Sequence, residues 1–142
     1  MDSIERHVTL DADLDEAWEL LTRPEDLAGW LGADVAFDPT PGSAGLVVDH
    51  DGTRRHLTVD RVEQGRSISW RWWTDGDEQA ASRVEITLVP TSGGTRVHVV
   101  EAPLPAAPSG GAVRARASAG TAWSHRLLHL EALLLLAASV RG

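Results

Sequence analysis

The chain has 142 residues, 42% of them apolar and 24% charged, with a formal net charge of −8. That length suits one domain burying on the order of two-thirds of its unfolded surface, and the negative charge disfavours nucleic acid or an anionic membrane as partner. Cysteine and lysine do not occur, which excludes disulfides, thiolate metal sites, thiol catalysis and Schiff-base chemistry.

The first residues lack the apolar stretch of a signal peptide. The longest apolar run, Ala132 to Ala138, is too short to span a bilayer. A cytoplasmic protein without membrane insertion is expected. Six tryptophans stand beside one phenylalanine and no tyrosine. Indole is large, rigid and polar at one edge, so its repeated use suggests the wall of a cavity for a flat ligand as well as core packing.

Ile4, Val8 and Leu10 alternate with Glu5, His7 and Thr9, the pattern of a half-buried strand, with Arg6 on the apolar side. Asp13 followed by Glu16 reads as a capped helix start, and Leu14, Trp18 and Leu21 form one stripe up to Thr22. Pro24 with Glu25 and Asp26 opens a second short helix, whose apolar side is Leu27, Trp30 and Leu31 and whose stop is Gly32.

Residues 33 to about 101 read as strands. Val35 and Phe37 alternate with polar neighbours. Leu46 to His50 is a short strand closed at Asp51-Gly52, with Leu46, Val48 and His50 on its inner face. Arg54 to Val62 follows, then Ser67 to Thr74, where Ile68, Trp70 and Trp72 face one way and Ser69, Arg71 and Trp73 the other. Val84, Ile86 and Leu88 mark the next strand, Ser92-Gly93-Gly94 a hairpin, and Val97, Val99 and Glu101 the inner side of the last. Residues 102 to 118 read as a loop. A long helix is expected from about Ala119 to Val140, with Trp123, Leu127, Leu130 and Leu134 on one stripe. The fold class is α+β, with a curved antiparallel sheet of about six or seven strands around a long C-terminal helix.

This order resembles the helix-grip fold of the START-like superfamily, also called SRPBCC or Bet v 1-like. The closer likeness is to the branch related to the C-terminal domain of the activator of Hsp90 ATPase. It rests on Asp15 to Thr22 with Pro24 to Leu31, on Val59-Asp60-Arg61-Val62 through Ile68-Ser69-Trp70, and on Gly120 to Trp123 leading into Leu127, Leu128 and Leu130. The resemblance implies one domain over residues 1–142 and a deep cavity between sheet and last helix. It spans lipid carriers, polyketide aromatases and cyclases, and Hsp90 co-chaperones, so it does not fix a function.

The expected ligand wall is Trp30, Phe37, Val48, Trp70, Trp72, Glu101, Trp123 and Leu127, taking a small hydrophobic, aromatic ligand. Trp18 reads as core and Trp73 as outward. Arg6, His50 and Glu101 are polar candidates at the cavity mouth. His125 and His129 are four apart, a zinc-compatible spacing, but Arg126 follows His125 where a zinc peptidase needs glutamate, so no metal or cofactor is expected. No nucleophile, phosphate-loop or dinucleotide motif occurs, and no catalytic residue is assigned. The alternatives are a co-chaperone or protein-interaction module, and a polyketide cyclase or aromatase. The apolar run around Leu133 to Leu136 permits a homodimer.

Overall fold

The computed structural model describes residues 3–104, 123–124 and 126–132, except the side chain of Gln79. Among these, seven strands form one antiparallel sheet: β1 (Ile4–Leu10), β2 (Asp34–Ala36), β3 (Ala44–Val48), β4 (Arg54–Glu63), β5 (Ser67–Thr74), β6 (Ser82–Thr91) and β7 (Gly94–Pro103). Their spatial order is β1-β7-β6-β5-β4-β3-β2. Helices α1 (Leu14–Thr22) and α2 (Pro24–Trp30) lie between β1 and β2. Residues 123–124 and 126–132 are helical and are called α3. The rest of the expected C-terminal helix, its apolar run from Leu133 and His125 lie outside the described residues.

Local chemistry sets the helix ends as the sequence suggests. The Asp13 carboxylate accepts from the Glu16 amide at 2.8 Å, so α1 begins on a side-chain cap. Pro24 occupies the first turn of α2, where no amide hydrogen is needed. Gly32 plays a different part from the one expected. Its backbone is not left-handed, and a Cβ there would lie 2.7 Å from Val47 Cγ1 and 3.0 Å from the Val48 carbonyl. It lets the end of α2 pack directly on β3. At the other edge Gly94, at φ +141°, has the Leu10 carbonyl where a Cβ would stand, 1.9 Å away. The β6–β7 hairpin is thereby tucked under the end of β1, and Thr95 Oγ1 donates to the Ala12 carbonyl at 2.9 Å.

The inner face of the sheet follows from its register. Leu57 pairs with Trp72, and Val59 with Trp70. Trp70 pairs with Val84, which pairs with Glu101. A bulge between Val59 and Arg61 inserts one residue, so Val59 and Val62 both face inward and Asp60 and Arg61 both face out. Buried Leu27, Trp30, Leu31, Leu57, Ile68, Trp70, Val84, Ile86, Val99, Trp123 and Leu130 belong to one core. Trp18 is core, 8% exposed, and Trp73 lies on the outer face, stacked on His56 at 6.1 Å.

In β3 the face assignment is the reverse of the one expected. Val47 pairs with Arg55 and is fully buried, whereas Val48 is only half-buried. Gly45, Val47 and Asp49 look inward, Leu46 and Val48 look out, and His50, past the end of the strand, is exposed and not part of an inner face. The physical reason is Gly32, at the end of α2, which packs against the Val47 side chain from the core side. Val48 is therefore no part of an interior wall.

Candidate functional site

The strands bring an unusual polar cluster onto the concave face, under α3. Trp72 on β5 and Trp123 on α3 stack with centroids 5.7 Å apart and planes at 28°. Both indole N–H groups donate to one carboxylate: Trp72 Nε1 to Glu101 Oε2 at 2.8 Å, and Trp123 Nε1 to Glu101 Oε1 at 2.6 Å. The Ser82 hydroxyl also donates to Glu101 Oε2. Glu101 reaches this position because β7 carries it inward beside Val84, two places beyond Val99. Its charge is met by three donors, the arrangement that makes a partly buried carboxylate tolerable.

Arg126, one turn along α3 from Trp123, covers both rings. Its guanidinium carbon lies 5.0 Å from the Trp72 centroid and 4.8 Å from that of Trp123. It is only 7% exposed. Nε donates to the Leu31 carbonyl at 3.1 Å and Nη2 to Asp49 Oδ1 at 3.4 Å. Burial pushes its pKa down to about 10, opposed by the attraction of Glu101. Arg55 on β4 lies over Trp72 as well, 5.3 Å from the centroid, and bonds Asp49 Oδ2. Burial and then repulsion from Arg126 lower its pKa, again opposed by Glu101. Asp49 thus bridges two arginines, and two arginines share one indole.

Deeper along β5 the lining is apolar. Trp70 is fully buried and meets Phe37 edge-on at 5.9 Å and Trp72 at 5.8 Å. Its Nε1–H has no hydrogen-bond partner. Trp30 differs: its N–H donates to the Leu20 carbonyl at 2.8 Å, which fastens α2 to α1. Leu127 is buried in the same core on α3.

Of the residues expected to form a ligand wall, the structure gathers Phe37, Trp70, Trp72, Trp123 and Glu101 into one contiguous set. Leu127 lines the adjoining core, Trp30 is committed to the α1–α2 junction, and Val48 faces out. The other polar candidates sit at the margin. Arg6 is exposed and reaches Ser124 Oγ at 3.2 Å, and His50 meets His129 edge-on at 5.9 Å. Among the described residues no cluster of three or more histidine, aspartate or glutamate side chains could hold a metal ion. No described helix is long and apolar enough to cross a membrane.

Asp49, Arg55 and Arg126 belong to this cluster, and reading by motif did not bring them to it. Arg126 was legible in principle, since it lies three residues after Trp123 and four before Leu130, on the buried stripe. Arg55 shares strand parity with Leu57 and Val59. Asp49 follows once Val47, and not Val48, is placed inward.

A curved antiparallel sheet closing over a C-terminal helix, with an aromatic and ionic inner face, defines a helix-grip protein of the START-like superfamily. The family model described as activator of Hsp90 ATPase homolog 1-like protein matches residues 11–134, and the chain belongs to that family. No curated protein matches it in sequence. Among solved structures it is similar to MLL2253 from Mesorhizobium loti, with 24% identity over 93% of this chain and 96% of that one, at TM-score 0.80. It is similar to DynU16, described as a protein of the dynemicin biosynthetic locus, with 26% identity and TM-score 0.78. That match covers 94% of this chain but 47% of DynU16, so the chain spans about half of that relative's length. The Aha1 dimer from Colwellia psychrerythraea is 18% identical over 94% of this chain and 96% of that one, at TM-score 0.77.

Proposed function

We propose that this protein binds a small, flat, largely apolar molecule against the concave face of the sheet, beside Trp70 and Phe37. The observation that carries the reading is the Trp70 indole N–H. It is fully buried and unpaired, whereas Trp30, Trp72 and Trp123 all have acceptors. Leaving a buried donor unpaired costs about 1–3 kcal/mol. A ligand carbonyl or phenol oxygen would supply the missing acceptor, while its ring packs against Phe37 and the Trp70 edge. Burying ~200 Å² of ligand apolar surface would contribute about 5 kcal/mol before ordering costs. The likeness to DynU16 supports a biosynthetic setting for such a ligand.

Glu101 is the inward ionisable group that a cyclase or aromatase would need. Its oxygens are engaged by Trp72, Trp123 and Ser82, which favours binding over proton transfer. Membership of the Hsp90-activator family favours one second reading, a co-chaperone role. An Hsp90 ATPase assay with the purified chain separates the two, since the ligand-binding reading expects no stimulation.

The direct experiment is a titration with flat aromatic ketones and phenols, followed by tryptophan emission and melting temperature. Binding raises the melting temperature and changes the emission of the buried indoles. A panel that moves neither quantity removes the proposal.

A further inference from the structure

The outer face of the sheet carries a second arrangement, remote in character from the aromatic interior. Ser69 on β5 is flanked by Arg61 on β4 and Glu85 on β6 in one cross-strand row, and the next row runs Glu63, Ser67, Thr87. Adjacent strands lie about 4.8 Å apart, so the two serines make a low floor between longer side chains. The bulge at Asp60 creates this pattern: without the extra residue, Arg61 would share the inner face with Val59. Arg66, from the turn that follows Glu63, closes one end. Together these side chains line a depression of about 270 Å³.

Ser69 is only 2% exposed, and its hydroxyl has no hydrogen-bond partner. A serine facing out from a strand ordinarily meets water or a neighbour, and a buried hydroxyl with neither costs about 1–3 kcal/mol. Among the described residues, Arg61, Arg66 and Glu85 form no ion pair or side-chain hydrogen bond either. One row further on the charges behave otherwise. Arg71 and Arg83 both reach Asp60, at 3.7 and 3.8 Å. Around Ser69, opposite charges stand apart with an unpaired hydroxyl between them.

The lining holds two guanidiniums and two carboxylates. A simple anion placed there would meet Glu63 and Glu85, and a simple cation would meet Arg61 and Arg66. A molecule carrying both charges satisfies both sets. The volume lies below the roughly 300–1,000 Å³ of sites for drug-sized ligands, so the occupant is small. We infer that this depression binds a small zwitterion of amino-acid type. Its carboxylate faces Arg61 and Arg66, its ammonium faces Glu85, and the Ser69 hydroxyl bonds one of its polar atoms.

The test uses the full chain, isotope-labelled, with L-serine as probe and acetate and methylammonium as its two half-charge controls. L-serine saturably shifts the amide resonances of Arg61, Ser69 and Glu85, with a dissociation constant on the order of 1 mM, and each control binds at least about tenfold more weakly. Ser69→Ala, which removes an unpaired hydroxyl and keeps the fold, weakens the probe at least about threefold. Glu85→Gln brings L-serine and acetate to equal affinity. Absence of saturable shifts at these residues up to about 50 mM L-serine overturns the inference. So does acetate or methylammonium binding as well as L-serine, or an affinity that Ser69→Ala leaves unchanged.

Discussion

Trp72 and Trp123 come from opposite sides of the fold, yet they stack 5.7 Å apart and both point their N–H groups at Glu101. One carboxylate therefore joins the sheet to α3. Removing it strands two indole donors in a buried setting. Glu101→Leu should destabilise the protein by about 2–4 kcal/mol, whereas Glu101→Gln keeps an acceptor and should lose about 1 kcal/mol. Urea unfolding followed by tryptophan emission checks this. Equal losses for the two variants would show that the carboxylate does not join the two indoles.

Asp49 holds Arg55 and Arg126 together over the same indole. The two arginines are not equivalent in what their removal leaves behind. Arg126→Met keeps the stem's packing, and Asp49 retains Arg55, so no lone charge is created. That variant should lie within about 1 kcal/mol of the parent at neutral pH, or above it. Asp49→Asn leaves the buried Arg126 and the half-buried Arg55 guanidiniums facing each other and should cost about 3 kcal/mol. Thermal unfolding of the two variants ranks them, and the reverse order would refute the bridging role.

Much of this architecture was legible in the chain because it depends on period and punctuation. The parity of Ile68, Trp70 and Trp72, the cap at Asp13 and the proline at residue 24 each depend on nearby residues alone. The spacing Val59 to Val62, three where a regular strand needs two or four, already carried the bulge. What local pattern could not carry was β3. Leu46-Val47-Val48 is apolar throughout, so alternation does not say which face is buried. That choice is made by Gly32, which packs on Val47 from outside the strand itself. The ionic cluster was hidden for the same reason. Asp49 inherits the face of β3, and Arg126 stands beside His125 in a zinc-like spacing that draws attention away from its place on the Trp123 stripe.

Trp70 separates ligand binding from core packing. If its N–H awaits a ligand oxygen, Trp70→Phe keeps an aromatic ring, relieves an unpaired donor and should change apo stability by no more than about 1 kcal/mol. Affinity for an aromatic ketone that the parent binds should fall at least about tenfold. Trp72→Phe acts on the other side of the balance. It removes a donor from Glu101 and the surface under two arginines, and should cost about 2–3 kcal/mol of stability. Isothermal titration beside unfolding measurements distinguishes the pair. Undiminished ketone affinity in Trp70→Phe would remove the indole from the ligand's contacts.

The composition opens an alkaline window in which Arg126 can be watched almost alone. There is no lysine, tyrosine or cysteine, so above the α-amino group, near pH 8, only arginines titrate. Burial lowers Arg126 from the ordinary arginine value to about 10 in the folded protein. Between those values the unfolded chain holds more protons than the folded one, so this residue makes stability rise with pH across that interval. The lowered value means that the charged, buried form is carried at neutral pH at a net cost of about 3 kcal/mol, burial outweighing the attraction of Glu101. Relative to Arg126→Met, the parent should gain little stability below about pH 10 and then gain steadily as the pH rises from there toward the ordinary arginine value. Arg55, lowered for the same cause of burial and by Arg126 itself, should return toward its ordinary value in that variant. Guanidinium resonances followed from pH 8 to 12 in parent and variant read both effects. A stability difference that stays flat across this range would show that Arg126 is not desolvated between α3 and the sheet.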